Sequence, residues 1–101
     1  MTTNVKDKLE LLHDSSIDDQ EFDQLLGKLL EARLGQQRCY LRQYARDLQE
    51  FELRFDMESH LFYRRFEAGE LGDSMDFFEW AGLYDLYQEV QSKVERLAAA
   101  V

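Results

Sequence analysis

Phe62-Tyr63-Arg64-Arg65-Phe66-Glu67-Ala68-Gly69-Glu70-Leu71-Gly72-Asp73-Ser74-Met75-Asp76-Phe77-Phe78-Glu79-Trp80 is the stretch that decides the fold. It sets aromatic side chains beside two glycines and a run of carboxylates. Gly69 suits the left-handed position that closes a helix. Gly72 permits a second sharp change of direction. Asp73 or Ser74 can cap a following helix, with Asp76 in its first turn. The stretch therefore reads as a short helix, a glycine corner and a capped long helix.

Outward from the corner, both flanks carry helical seams. Upstream, Leu34, Gln37, Leu41, Tyr44, Leu48, Phe51 and Phe55 are separated by alternating steps of three and four. That is a heptad repeat, the mark of helices packed along a shared line. Gln37 is a polar residue in that seam and suits a register-setting role. The stripe begins earlier with Phe22, Leu25, Leu26, Leu29 and Leu30, and Gly27 and Gly35 mark a bend or a close helix crossing. Downstream, Trp80, Leu83, Tyr87, Val90, Val94 and Leu97 repeat the same steps, with Phe77 and Tyr84 widening the stripe. Ser59 can cap the short helix from His60 to Ala68, with Leu61, Phe62, Tyr63 and Phe66 facing inward, and Leu71 packs back on its last turn. Val5, Leu9 and Leu12 predict a further short helix over 4–13, because strand alternation fails at Asp7. Ser15 or Ser16 can cap the long helix, with Asp18, Asp19 and Glu21 in its first turn.

The expected fold is all-α and a single domain. It has an N-terminal segment (1–15), a long helix (17–55), a short corner helix (59–68) and a C-terminal long helix (74–99). The two long helices form an antiparallel hairpin. A helix of ~38 residues spans ~57 Å at the usual rise per residue. A two-helix hairpin of that length has no enclosed core, so oligomerisation, with a dimer favoured, is expected to complete it.

Composition supports helices and excludes several classes. The 101 residues contain no proline and five glycines, the usage of long helices. No apolar run reaches membrane-spanning length, and Met1–Lys8 lacks the apolar core of a signal peptide. One cysteine, Cys39, permits no intrachain disulfide, which fits a reducing cytoplasm. The net charge of −9 argues against nucleic-acid binding by this chain alone and favours basic partners. Residues 28–46 are locally basic, through Lys28, Arg33, Arg38, Arg42 and Arg46 against Glu31. That basic middle is expected to pair with acidic residues of the neighbouring helix.

No constellation carries strong chemistry, and neither an enzyme nor a cofactor is expected. Asp56 with His60, and Asp76 with Glu79, have helical spacing for metal ligands. A carboxylate-bridged di-iron bundle needs Glu-x-x-His pairs that the sequence lacks. Cys39 has no histidine at helical spacing and reads as a packing thiol. Gly69-Glu70-Leu71-Gly72 lacks the lysine and the strand of a phosphate loop. Arg38, Arg42 and Arg46, interleaved with Tyr40 and Tyr44, form a secondary charged contact.

The aromatic corner is the best candidate surface: Phe62, Tyr63, Phe66, Phe77, Phe78, Trp80, Tyr84 and Tyr87. Adjacent Phe77 and Phe78 point about 100° apart on a helix, so both cannot face one seam. Core packing takes about half of these side chains. The remainder, ringed by Glu67, Glu70, Asp73, Asp76 and Glu79, suit anchors with an acidic rim for a basic partner.

Residues 57–88 resemble a segment of small bacterial helical proteins on the antitoxin side of type II toxin–antitoxin pairs. The resemblance is carried by Phe66-Glu67-Ala68-Gly69-Glu70-Leu71-Gly72-Asp73, followed by Asp76-Phe77-Phe78-Glu79-Trp80. It covers about a third of the chain strongly and the long preceding helix more loosely. It implies stoichiometric inhibition of a basic ribonuclease toxin by direct binding, with no catalytic residues. No helix-turn-helix or ribbon with a basic face is visible, so DNA autoregulation would need a dimer, the Arg38–Arg46 stripe or the toxin. The alternatives are a self-associating structural coiled-coil protein and a metal-binding helical-bundle enzyme.

Overall fold

The computed structural model describes residues 4–15 and 18–101. Among these the order is α1 (Val5–Asp14), α2 (Asp19–Phe55), α3 (Ser59–Glu67) and α4 (Met75–Ala100), with no strand. The two long helices pack together as an antiparallel hairpin, and α3 lies across its closed end. The molecule measures 60 × 29 × 18 Å with a radius of gyration of 19.9 Å. A compact chain of this length would be near ~13 Å, so the hairpin is long and thin.

Local chemistry sets the helix ends. Asn4 caps α1 by accepting the Asp7 N–H at 2.8 Å. Asp18, not Ser15 or Ser16, caps α2 by accepting the Glu21 N–H at 2.7 Å. The Ser15 hydroxyl instead donates back to the Leu12 carbonyl at the end of α1, and Ser16 lies outside the described residues. Asp56 ends α2 in the left-handed region (φ 51°), which aspartate tolerates better than most residues. Gly69 (φ 75°) and Gly72 (φ 79°) turn the chain twice between α3 and α4, as the corner reading requires. Ser74 then caps α4 by accepting the Asp76 N–H.

The heptad seams are the interface. Leu34, Gln37, Leu48 and Phe51 are buried on α2, and Leu41, Tyr44 and Phe55 half-buried. Trp80 and Val90 are buried on α4, and Leu83, Tyr87, Val94 and Leu97 half-buried. Helix α2 is continuous through Gly27 and Gly35, so neither breaks it.

The corner corrects one expectation. The hairpin does enclose a core, because α3 closes over its end: Leu48, Phe51, Phe62, Trp80 and Ala81 form a buried cluster. Phe62 and Trp80 stack with ring centroids 3.8 Å apart and planes within 5°. Phe51 stacks on Trp80 at 5.5 Å, and Phe55 at 5.6 Å. Burial of each such side chain is worth about 1.5–3 kcal/mol, and stacking adds about 0.5–1.5 kcal/mol. The opposite end is different. Among the described residues, nothing before Leu34 is buried.

Candidate partner-binding surface

Polar ties fix the corner around its aromatic core. The Trp80 Nε1–H donates to Ser59 Oγ at 3.0 Å. The Ser59 backbone N–H donates to the Glu52 carboxylate at 2.7 Å. Ser59 is thus not the cap of α3 but its first residue, and Glu52 of α2 supplies an acceptor at that helix start. A carboxylate is favoured there by the positive end of the helix dipole. Helix α3 ends at Glu67, with Ala68 as its C-cap.

Arg54 forms an ion pair with Asp76, tying the last turn of α2 to the first turn of α4. Its guanidinium also lies over Phe55 (5.1 Å) and Phe51 (5.8 Å). Tyr63 donates its hydroxyl to Asp85 at 2.6 Å. That bond, with partial desolvation, raises the Tyr63 pKa well above its ordinary value.

The structure sorts the predicted anchors into two sets. Phe62 and Trp80 are fully enclosed by the chain itself and touch no outside molecule in this arrangement. Phe77 turns inward against Phe55 and Phe62. Its neighbour Phe78 turns outward and is 52% exposed, with the half-buried Phe66 ring edge-on at 5.4 Å. Tyr63 and Tyr84 lean on each other, half-buried, at 5.0 Å, and Tyr87 is also half-buried. Glu70 and Asp73 are exposed, whereas Asp76 is half-buried and engaged by Arg54. The surface available to a partner is thus Phe78 and Phe66, the rims of Tyr63, Tyr84 and Tyr87, and the free carboxylates.

A second feature was not legible in the sequence. A groove of about 460 Å³ runs between α2 and α4, lined by Asp47, Glu50, Glu79, Phe51, Leu83 and Arg54. Three carboxylates rim an apolar floor. The one lining cation, Arg54, is already held by Asp76. Such a groove suits a lysine or arginine whose stem lies on Phe51 and Leu83 while its head meets the carboxylates. Finding it requires knowing which flank of the α2 seam α4 leaves open.

Arg38, Arg42 and Arg46 do not pair with the neighbouring helix. All three are exposed, and none takes part in an ion pair among the described residues. Arg38 and Arg42 each lie one residue past a seam position, Gln37 and Leu41, and Arg46 lies two residues from both Tyr44 and Leu48, so all three project away from the contact. Cys39 is also exposed, not packed in the seam. Among the described residues, no group of three or more His, Cys, Asp or Glu side chains is gathered to hold a metal ion. No helix there is long and apolar enough to cross a membrane.

No protein-family model matches the chain, and neither a curated protein nor a solved structure matches it.

Proposed function

We propose that the chain is a non-enzymatic binding protein that captures a basic protein partner at the closed end of its hairpin. The observation that carries this reading is the groove over Phe51 and Leu83, rimmed by Asp47, Glu50 and Glu79 with its cation already engaged. Exposed Phe78 beside Phe66 adds an apolar anchor on the α3 side of α4. The surplus of negative charge over the whole chain speeds encounter with a cationic surface. The resemblance of residues 57–88 to antitoxins makes that partner a ribonuclease toxin, neutralised by one-to-one occlusion of its RNA-binding surface. Such a surface is basic because it holds phosphates.

Co-expression with the product of the neighbouring gene tests the reading. The expected result is a complex that survives purification, growth rescued by the wild-type chain, and binding that weakens with salt. Phe78→Ala should weaken binding about 10- to 30-fold, and Glu50→Lys with Glu79→Lys should abolish rescue. Absence of both complex and rescue, or a complex indifferent to all three substitutions, would end the proposal. The structural coiled-coil alternative involves self-association, which falls to the other end of the hairpin.

A further inference from the structure

The open half of the hairpin is exposed in a way the chain alone does not explain. Residues 4–15 and 18–33 contain no buried side chain, yet they include Leu11 at 63%, Leu25 at 39% and Leu29 at 59% exposure. Helix α1 reaches α2 through His13, whose ring meets Phe22 edge-on at 5.3 Å, and it leaves the Leu25–Leu29 stripe open. The whole chain exposes 7752 Å². A compact monomer of 12.0 kDa would expose about 6,000 Å². The excess exceeds the ~800 Å² that each partner of a stable interface buries.

Charge identifies the occupant. Where the last turns of α4 meet α2, Arg33, Lys93 and Arg96 converge on a pocket of about 300 Å³ over Gln37 and Leu97. No carboxylate lines it, in a chain that carries 21. The Arg33 guanidinium donates only to the Gln36 side chain. Gln37, 3% exposed, forms part of the pocket floor. Three like charges with no carboxylate among them call for an acidic ligand. The chain itself carries one at the start of α2, where Asp18, Asp19, Glu21 and Asp23 are all exposed.

We propose that two copies pair through this half, their α2 helices antiparallel about a two-fold axis that meets the Leu25–Leu29 face at the level of residue 27, so that the acidic start of each α2 docks at the Arg33–Lys93–Arg96 pocket of the other. An axis at residue 27 sets Leu25 of one copy opposite Leu29 of the other and Glu21 opposite Arg33. Each contact then occurs twice, as an isologous interface requires. A parallel pairing would set the two acidic tips side by side, and that repulsion selects the antiparallel arrangement. This surface is separate from the closed-end groove, so the inference does not rest on the proposed function.

Sedimentation equilibrium of the full chain is the test. The expected mass is twice 12.0 kDa. Leu29→Glu, at a position already exposed in the single chain, should raise the dissociation constant on the order of 100-fold. The near-ultraviolet signal of the buried Trp80 should stay unchanged. Glu21→Arg and Arg33→Glu should each weaken the dimer, and a mixture of these two variants should form a heterodimer, because both symmetric contacts are then restored. Phe78→Ala should leave the mass unchanged. A wild-type monomer at concentrations on the order of 100 µM would overturn the proposal. So would a dimer broken by Phe78→Ala but not by Leu29→Glu, or a mixture that stays monomeric. A monomer whose open half gains hydrogen-exchange protection only with added inorganic phosphate would assign the pocket to a free oxyanion and likewise overturn it.

Discussion

Ser59→Ala isolates one polar tie in an aromatic core. In the wild type the indole N–H of Trp80, fully buried, donates to the Ser59 hydroxyl at 3.0 Å. Removing the hydroxyl leaves that donor with no partner and no water, at a cost of about 1–3 kcal/mol. Alanine in the first turn of α3 returns a few tenths of a kcal/mol of helix propensity. The backbone N–H of residue 59 keeps its bond to Glu52, so the start of α3 remains satisfied. The net loss is therefore about 1–2.5 kcal/mol, or roughly 4–20 °C in melting temperature for a domain of this size. Thermal melts followed by far-ultraviolet circular dichroism measure it at a fixed protein concentration. The decisive comparison is a double-mutant cycle with Trp80→Phe, which removes the N–H itself. In that background Ser59→Ala should cost less than about 0.5 kcal/mol, because no donor remains to be orphaned. An equal cost in both backgrounds would mean that Ser59 acts through packing, and the hydrogen-bond reasoning would be refuted.

Three further outcomes are expected. Gly72→Ala and Gly69→Ala, both at positive φ, should each cost about 1–2 kcal/mol. Gly82→Ala, in the interior of α4 with open space at the new Cβ, should instead stabilise by up to about 1 kcal/mol, and urea titration separates the two signs. His13 has its pKa raised above 6.5, first by the Asp19 hydrogen bond at 2.7 Å and then by charge from Asp19 and Asp14. The raised value belongs to the folded state, so the His13–Asp19 tie between α1 and α2 is fully present below pH 6.5 and fades as pH rises through the folded pKa. Amide exchange in α1 should quicken across that interval and lose its pH dependence, after correction for intrinsic rates, in Asp19→Asn. Tyr63, raised first by its bond to Asp85, should ionise above the ordinary tyrosine range in a spectrophotometric alkaline titration, and Asp85→Asn should lower its pKa.

The seams were legible because they are a property of period alone. Steps of three and four from Leu34 to Phe55 and from Trp80 to Leu97 leave one stripe per helix. Two stripes joined by a glycine corner have one economical arrangement. The corner glycines were legible for a similar local reason, since a left-handed residue is nearly always glycine. The enclosed core was not. It depends on how far α3 folds back, which sets Phe62 flat against Trp80 and removes both from the surface where their neighbours Tyr63 and Phe78 remain. Cap assignment failed where several polar residues competed: Ser15 was drawn to the Leu12 carbonyl, leaving Asp18 to start α2. Pairing of the basic middle failed because composition does not record direction. Arg38, Arg42 and Arg46 share a face, but the face that meets α4 is the adjacent one.

The same directional argument separates the two ends of the molecule in stability. At the closed end, every buried donor and acceptor is matched among the described side chains, and aromatic stacks join three helices. At the open end, α1 has ten residues, no buried side chain and one exposed histidine–aspartate tie to α2. Isolated helices of that length are marginal in water, and α2 before Leu34 adds no buried residue to hold it. Local opening must therefore begin there and proceed toward the corner. A contact that orders the open end stabilises the chain without touching the groove at Phe51 and Leu83. The antiparallel pairing through the Leu25–Leu29 face has that property. It also points the two closed ends away from each other, so a dimer presents two independent binding surfaces and neither obstructs the other's partner.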